Sequence, residues 1–323
     1  MIFLLIMLTT LEKRCKYGYN GFKLKIRRDI MGKIIRCITS DGLVSAVCAD
    51  TTDIVQTASD YHKTYPVMTA ALGRLLTATS MMGCALKGEN SSITVKIDCD
   101  GEAKGLVAVS DNQGNPKGYV LNPMVEVPDK YKGKLDVGAA LGKGTLFVSK
   151  DIGLENPYNG AIELVSGEIA EDIAAYFVES EQIPTVCALG VLIDTDLSIK
   201  AAGGFIIQML PAAGDDTADL IEKGLKNITS VTSMLSEGKD ILEIVKLALS
   251  EFEVEVLEEN EIHYKCDCSK ERTDKVVKSI GKDELLRLAD EQDITEVACH
   301  FCDKIYKYSS DDLRKLASEI KTK

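Results

Sequence analysis

Along Ser92–Cys99 apolar and polar residues alternate. Ile93, Val95 and Ile97 fall on one face and Thr94, Lys96 and Asp98 on the other, the period of a half-buried strand. Similar short, β-rich runs recur from Met31 onward. Lys33–Thr39 and Leu43–Ala49 flank Ser40-Asp41-Gly42, a hairpin signal. Leu106–Ser110 and Gly118–Leu121 flank the turn-rich stretch Asp111–Pro116. Gly144–Asp151, Ala161–Ser166, Val186–Asp194 and Gly203–Leu210 complete the strand set. Two helical patterns interrupt it. Pro66 sits in the first turn of a long apolar helix that ends near Leu86 at Lys87-Gly88. Glu168–Ser180 places Ile169, Ile173, Ala174 and Phe177 at helical spacing. Most connections are turns, so antiparallel pairing dominates.

The pattern changes after Leu210. Pro211–Asp216 is rich in turn formers, and from Thr217 to Phe252 the apolar positions recur at helical spacing. Leu220, Ile221, Leu225 and Ile228 make one stripe, and Ile241, Leu242, Ile244, Val245, Leu247, Ala248 and Leu249 a broader one. Gly224 and Gly238 keep these helices short, and short helices are marginal without a surface to dock on. Helices are expected again over Lys270–Ile280 and Asp283–Asp290, a hairpin over Ile294–Ala298 and Ile305–Tyr308, and a last helix to about Ile320 opened by Ser309 and Asp312 as a capping box. The fold class is therefore α+β. A core domain of mixed, mainly antiparallel sheet with packed helices covers 31–210, a helical linker 211–260, and a small metal-binding domain 261–323.

Residues 1–30 stand apart. An apolar run, Met1–Leu8, precedes a basic stretch, the reverse of a signal peptide, and is too short to span a bilayer. They read as an extension, disordered or upstream of a true start at Met31. They carry seven basic and two acidic side chains, so the rest of the chain bears −17 where the whole bears −12. Val67–Leu86 holds one charge, Arg74, together with several hydroxyls, and reads as a buried helix rather than a membrane span. An acidic protein of this size is repelled by phosphates, which argues against nucleic acid and anionic membrane partners. No P-loop or G-x-G-x-x-G follows a strand, so no nucleotide site is indicated. The three histidines form no recognisable catalytic arrangement, and no enzyme activity is expected. Ten cysteines without an export signal indicate a reducing, cytoplasmic setting, where clustered thiols mean metal or redox chemistry.

Cys266-Asp267-Cys268 and Cys299-His300-Phe301-Cys302 are separated by thirty residues. Two close cysteine pairs supply four soft ligands, the set that closes a structural zinc site. His263 or His300 is an alternative donor for one position. A unit of about sixty residues lacks a sufficient core, and the metal supplies the staple. Metal-bound sulfur is thiolate, the form oxidants attack, so neighbouring thiols two or three residues apart can close disulfides at the expense of the site. Cys37 and Cys48 on the two arms of the first hairpin, Cys84 on the long helix, Cys99 at a strand end and Cys187 in an apolar strand read as small buried hydrophobes, and Cys15 falls in the extension.

The C-x-C and C-x-x-C pairs resemble those of the heat shock protein 33 family. So do Thr69–Arg74 with Met81-Met82-Gly83, Gly118-Tyr119-Val120, Ser166–Asp172, Ser180–Pro184, and Gly203-Gly204 leading to Gln208–Pro211. The resemblance covers Met31 to the end, and the extension departs from the family's usual start. It implies a redox-regulated, ATP-independent holdase of the cytoplasm, folded and inactive when reduced and zinc-bound. Oxidation to the disulfides Cys299–Cys302 and Cys266–Cys268 is then expected to release zinc, unfold the zinc domain and linker, and favour a homodimer that holds unfolding client proteins. The helices over 217–252 add a physical reason. Melting of the neighbouring metal domain would release Leu220, Ile221, Ile241, Leu242, Ile244, Val245 and Leu247, which in the reduced state serve as packing. Two competing readings are a zinc-ribbon nucleic-acid binder, disfavoured by the acidic charge, and a dithiol oxidoreductase using Cys299 and Cys302, disfavoured by the absence of a thioredoxin-like strand–helix context.

Overall fold

The computed structural model describes residues 31–131 and 133–320, so the expectations for residues 1–30 lie outside the described residues. Two compact units divide at Lys265 and Cys266. The architecture is α+β, as expected.

The larger unit begins with the hairpin of β1 (Gly32–Thr39) and β2 (Val44–Asp50). Asp41 makes the turn by accepting from the Leu43 N–H at 3.0 Å, and Gly42 takes a left-handed φ of 71°. Helix α1 (Thr52–His62) follows, then α2 (Pro66–Cys84). Strands β3 (Ser92–Cys99), β4 (Gly105–Asp111) and β5 (Pro116–Val120), the short α3 (Val137–Leu141), β6 (Gly144–Asp151) and β7 (Tyr158–Glu163) come next. Then come α4 (Ala170–Ser180), β8 (Thr185–Ile193), β9 (Ile199–Met209), α5 (Asp215–Leu225), α6 (Val231–Ser236), α7 (Ile241–Ala248) and β10 (Val254–Ile262). One five-stranded sheet runs β10-β1-β2-β9-β8 and a second β5-β4-β3-β6-β7, with antiparallel pairing throughout.

Helix α2 lies in the core shared by the two sheets, in one cluster with Ile34, Ala49 and Ile206 of the first and Ile93, Val95 and Leu106 of the second. All its residues but Pro66 and Arg74 are buried, which explains an apolar pattern that runs right round the helix. Arg74 is compensated by Glu168, its Nη1 donating to Oε2 at 2.7 Å, and Lys130 reaches the other carboxylate oxygen at 3.1 Å. Burial pushes the Glu168 carboxyl up, yet Arg74 and Lys130 together hold it below the ordinary glutamate value.

The opposite face of the first sheet is covered by α5, α6 and α7. Ile35, Cys37, Val44, Ala46, Cys48, Phe205 and Ile207 of the strands pack with Ile221, Met234, Ile241, Ile244 and Val245 of the helices. Asp240 caps α7, accepting from the Leu242 N–H at 2.8 Å, and its carboxylate meets Lys33 of β1 at 3.3 Å. Apolar burial is the main hold on these helices.

Several features differ from the sequence expectation, among them the short α3 and a β7 that starts three residues earlier than expected. Helix α1 was not anticipated, because only Ile54, Val55 and Ala58 mark its buried side. Pro116 opens β5 rather than ending the preceding turn, a position a strand tolerates. The segment expected as a helical linker ends in β10, an edge strand paired antiparallel to β1 from Gly32↔Ile262 to Thr39↔Val254. Its glutamates face solvent and mask the strand pattern.

The smaller unit contains α8 (Lys270–Ser279), α9 (Lys282–Glu291), the hairpin of β11 (Ile294–Ala298) and β12 (Ile305–Ser309), and α10 (Ser310–Ser318). Ser309 and Asp312 form the anticipated capping box. Its core is Val277, Leu285, Leu288, Ala289, Val297, Tyr306, Tyr308, Leu313, Leu316 and Ala317.

Candidate metal centre

Cys266 and Cys268 lie on the extended segment that precedes α8, whose start Ser269 caps by accepting from the Arg272 N–H at 3.3 Å. Asp267 between them is paired with the Arg272 guanidinium, which also donates to the Asp267 carbonyl at 3.2 Å. Cys299 and Cys302 occupy the turn joining β11 to β12. The Cys299 N–H donates to the Lys304 carbonyl at 2.9 Å, the Asp303 N–H returns to the Cys299 carbonyl at 2.9 Å, and Asp303 takes a φ of 56°. These backbone bonds fix where the second thiol pair points.

The four sulfurs converge, all within 4.8 Å of one another. Cys266 Sγ lies 3.7 Å from Cys299 Sγ and Cys268 Sγ 3.5 Å from Cys302 Sγ. A tetrahedral ion with metal–sulfur bonds of about 2.3 Å requires sulfurs about 3.8 Å apart, so the set has the size of a four-thiolate site. Among the described residues no other group of three or more histidine, cysteine or acidic side chains is so arranged, and neither His263 nor His300 belongs to this one.

The electrostatics favour thiolate at Cys299. The Cys266 thiol hydrogen-bonds to it, the backbone N–H groups of Phe301 and Cys302 aim at it, and against the opposing effect of burial it is brought down to about 5. Cys266 holds the shared proton and is displaced upward, chiefly through its bond to Cys299. Burial pushes Cys302 up to about 11. A bound cation reverses such upward displacements by favouring thiolate at every ligand.

One contact had no counterpart in the sequence reading. The Tyr306 hydroxyl donates to Cys268 Sγ at 3.1 Å. The alternation that turns Tyr306 and Tyr308 inward on β12 was the available signal. Beside them Tyr308 donates to Asp274 at 2.8 Å, with the Lys270 ammonium 3.1 Å from its ring centroid.

The family model for the Hsp33 protein matches residues 32–309. The chain belongs to the Hsp33 family. Among its relatives, a 33 kDa chaperonin of Clostridium botulinum is 46% identical over 285 residues, 88% of this chain and 97% of the relative. A 33 kDa chaperonin of Agathobacter rectalis is 44% identical over 283 residues, 88% of this chain and 98% of the relative. The crystal structure of the 33 kDa chaperonin (heat shock protein 33 homolog) of Thermotoga maritima superposes with a TM-score of 0.83 at 35% identity, over 89% of this chain and 98% of that one.

The seven apolar residues expected to meet clients lie on α5 and α7 in this Hsp33 chain. Ile221, Ile241, Ile244 and Val245 are buried against the sheet, and Leu242 and Leu247 are partly buried there. Leu220 turns away from the sheet and is exposed. No described helix is long and apolar enough to cross a membrane.

Proposed function

We propose that this protein is a redox-regulated, ATP-independent holdase chaperone of the cytoplasm, held inactive while Cys266, Cys268, Cys299 and Cys302 ligate one Zn²⁺. The convergence of four thiols at tetrahedral spacing in a unit with a small core carries the reading, and membership of the Hsp33 family supports it. A zinc ion bound there keeps the four sulfurs deprotonated and staples the unit.

The chain's own groups do the rest. A thiolate of the Cys299–Cys302 pair attacks a peroxide oxygen, the O–O bond breaks, and the second thiolate displaces hydroxide from the resulting sulfenic acid. The sulfurs give up two electrons, and water is the reduced product. Cys266 and Cys268 form the second disulfide in the same way. Two or three residues of slack suffice for each bridge, although the shortest contacts in the reduced arrangement cross between the pairs. With all four donors consumed, the small unit loses its staple and unfolds. Helices α5–α7, which precede it in the chain and are held mainly by apolar burial, then leave the sheet. Ile221, Ile241, Leu242, Ile244, Val245 and Leu247 join the exposed Leu220 as a surface for unfolding client proteins. The oxidised form is a homodimer, and it acts by stoichiometric holding rather than turnover. The net charge of −12 gives it no affinity for nucleic acid or an anionic membrane.

Native mass spectrometry before and after peroxide with mild heating tests this. One zinc and no disulfide are expected before, and no zinc, two disulfides within residues 266–302 and a dimer after. Retention of the metal with both disulfides formed would overturn the latch.

A further inference from the structure

Two more thiols face each other on the sheet surface that α7 covers. Cys37 of β1 and Cys48 of β2 are both buried, at 1% and 0% exposure, in the cluster that contains Ile241, Ile244 and Val245. The register pairs Ile35 with Cys48 and Cys37 with Ala46, so the two cysteines are diagonal neighbours on one face. Diagonal positions of an antiparallel pair lie about 7–8 Å apart, just beyond the ordinary Cα span of a disulfide, about 4.4–6.8 Å. Beside Cys37 the outer pairing is irregular, with Leu257 as an extra residue on β10, while the β1–β2 register runs unbroken, so closing a bridge requires β1 and β2 to draw slightly together there.

We propose that Cys37 and Cys48 are a second thiol–disulfide pair, shut by α7 in the reduced protein and open to oxidation when α5–α7 leave the sheet. The proposal deepens the holdase reading, since the gate is the helix release described there. Oxidation by hydrogen peroxide would follow the same two steps. The Cys37 thiolate attacks one peroxide oxygen and the O–O bond breaks, leaving a sulfenic acid and water. Cys48 then attacks that sulfur and displaces hydroxide, which takes a proton to give the second water. Two thiols are oxidised and one peroxide reduced. In the closed arrangement the two thiols already differ. Hydrogen bonding from Cys48, aided by Lys246 and opposed by burial, lowers Cys37, whereas its bond to Cys37 and burial raise Cys48. A bridged pair alters the surface on which Ile244 and Val245 pack. The helices then return only after this disulfide is also reduced, and the activated state is prolonged.

The test uses the full-length, zinc-loaded protein treated with hydrogen peroxide, then quenched, alkylated and digested. Mass spectrometry counts the peptide linking Cys37 to Cys48, and hydrogen exchange of the α7 amides is followed in parallel. Cys84, buried on α2 and pushed by that burial to about 11, is the internal control. The linked peptide is expected to rise at least tenfold as α7 loses protection, while Cys84 stays alkylatable. Exposed α7 amides with Cys37 and Cys48 still free would overturn the proposal. A second arm uses reduced Ile244→Asp, which undocks α7 without the metal site, treated with peroxide in the same way. If α7 stays protected in the oxidised wild type but Ile244→Asp gives the linked peptide, helix release by the metal site is wrong and the gated pair stands. If Ile244→Asp loses α7 protection and shows no linked peptide, the pair is not redox-active.

Discussion

Shortening one buried side chain on α7 should activate the protein without any oxidant. Ile244 is 0% exposed and packs among Ile35, Cys48 and Phe205 in the cluster beneath the helices. Ile→Ala at such a site costs about 2–5 kcal/mol. The loss falls on docking rather than on the sheet, because no strand hydrogen bond depends on this side chain. Taking about 3 kcal/mol, the undocked population rises roughly 150-fold, since about 1.4 kcal/mol is tenfold in an equilibrium constant. Hydrogen exchange of the reduced, zinc-loaded Ile244→Ala protein should show α7 amides exchanging faster by about that factor. The small unit should keep wild-type protection. Light scattering of a thermally unfolding client should then show partial suppression by the reduced variant and none by the reduced wild type. Faster exchange with no suppression would mean that the covered face is not where clients bind. Unchanged exchange would mean that α5–α7 do not open apart from the rest of the unit. Leu220→Ala is the companion control: Leu220 is exposed, so docking should be unaltered.

Further outcomes follow from individual contacts. Stripping the metal with a strong chelator under reducing conditions should melt residues 266–320, seen as collapsed amide dispersion in NMR, and leave the sheets of residues 31–265 folded. Tyr306→Phe removes the hydroxyl that donates to Cys268 at 3.1 Å. The sulfur becomes more nucleophilic, so the Cys266–Cys268 disulfide should form several-fold faster by mass spectrometry, with the Cys299–Cys302 rate unchanged. Arg74→Met leaves the partly buried Glu168 with only Lys130 as its cation. Losing one charged partner costs about 1–3 kcal/mol, and the denaturation midpoint of the larger unit should fall accordingly. The pH dependence has a definite sign. Burial raises Glu168, but Arg74 and Lys130 set it below its ordinary value. Its contribution is therefore present above the unfolded glutamate pKa and lost as pH falls through the lower folded value. In Arg74→Met, acid destabilisation should begin at higher pH than in the wild type.

What could be read from the sequence was what local periodicity and spacing carry. The alternation of Ser92–Cys99 and the turn at Ser40–Gly42 mark β3 and the first hairpin. The unbroken apolar run of α2 marks a helix buried on every side. Two cysteine pairs at ligand spacing mark a centre that the fold brings together. Features decided by distant partners were not legible. The counter-charge of Arg74 is Glu168, 94 residues away. β10 joins the sheet beside β1 through pairs such as Arg36 with Glu258, 222 residues apart, and its exposed glutamates hide its period. Cys37 and Cys48 looked like ordinary buried thiols, because only the register and the covering helix place them under α7.

The most direct measurement is light scattering of an unfolding client in the presence of this protein, reduced and zinc-loaded or peroxide-oxidised, with no ATP. The oxidised form is expected to suppress aggregation at near-stoichiometric amounts and the reduced form to leave it unchanged. Equal suppression by both forms, or by neither, would contradict a chaperone switched by its four cysteines.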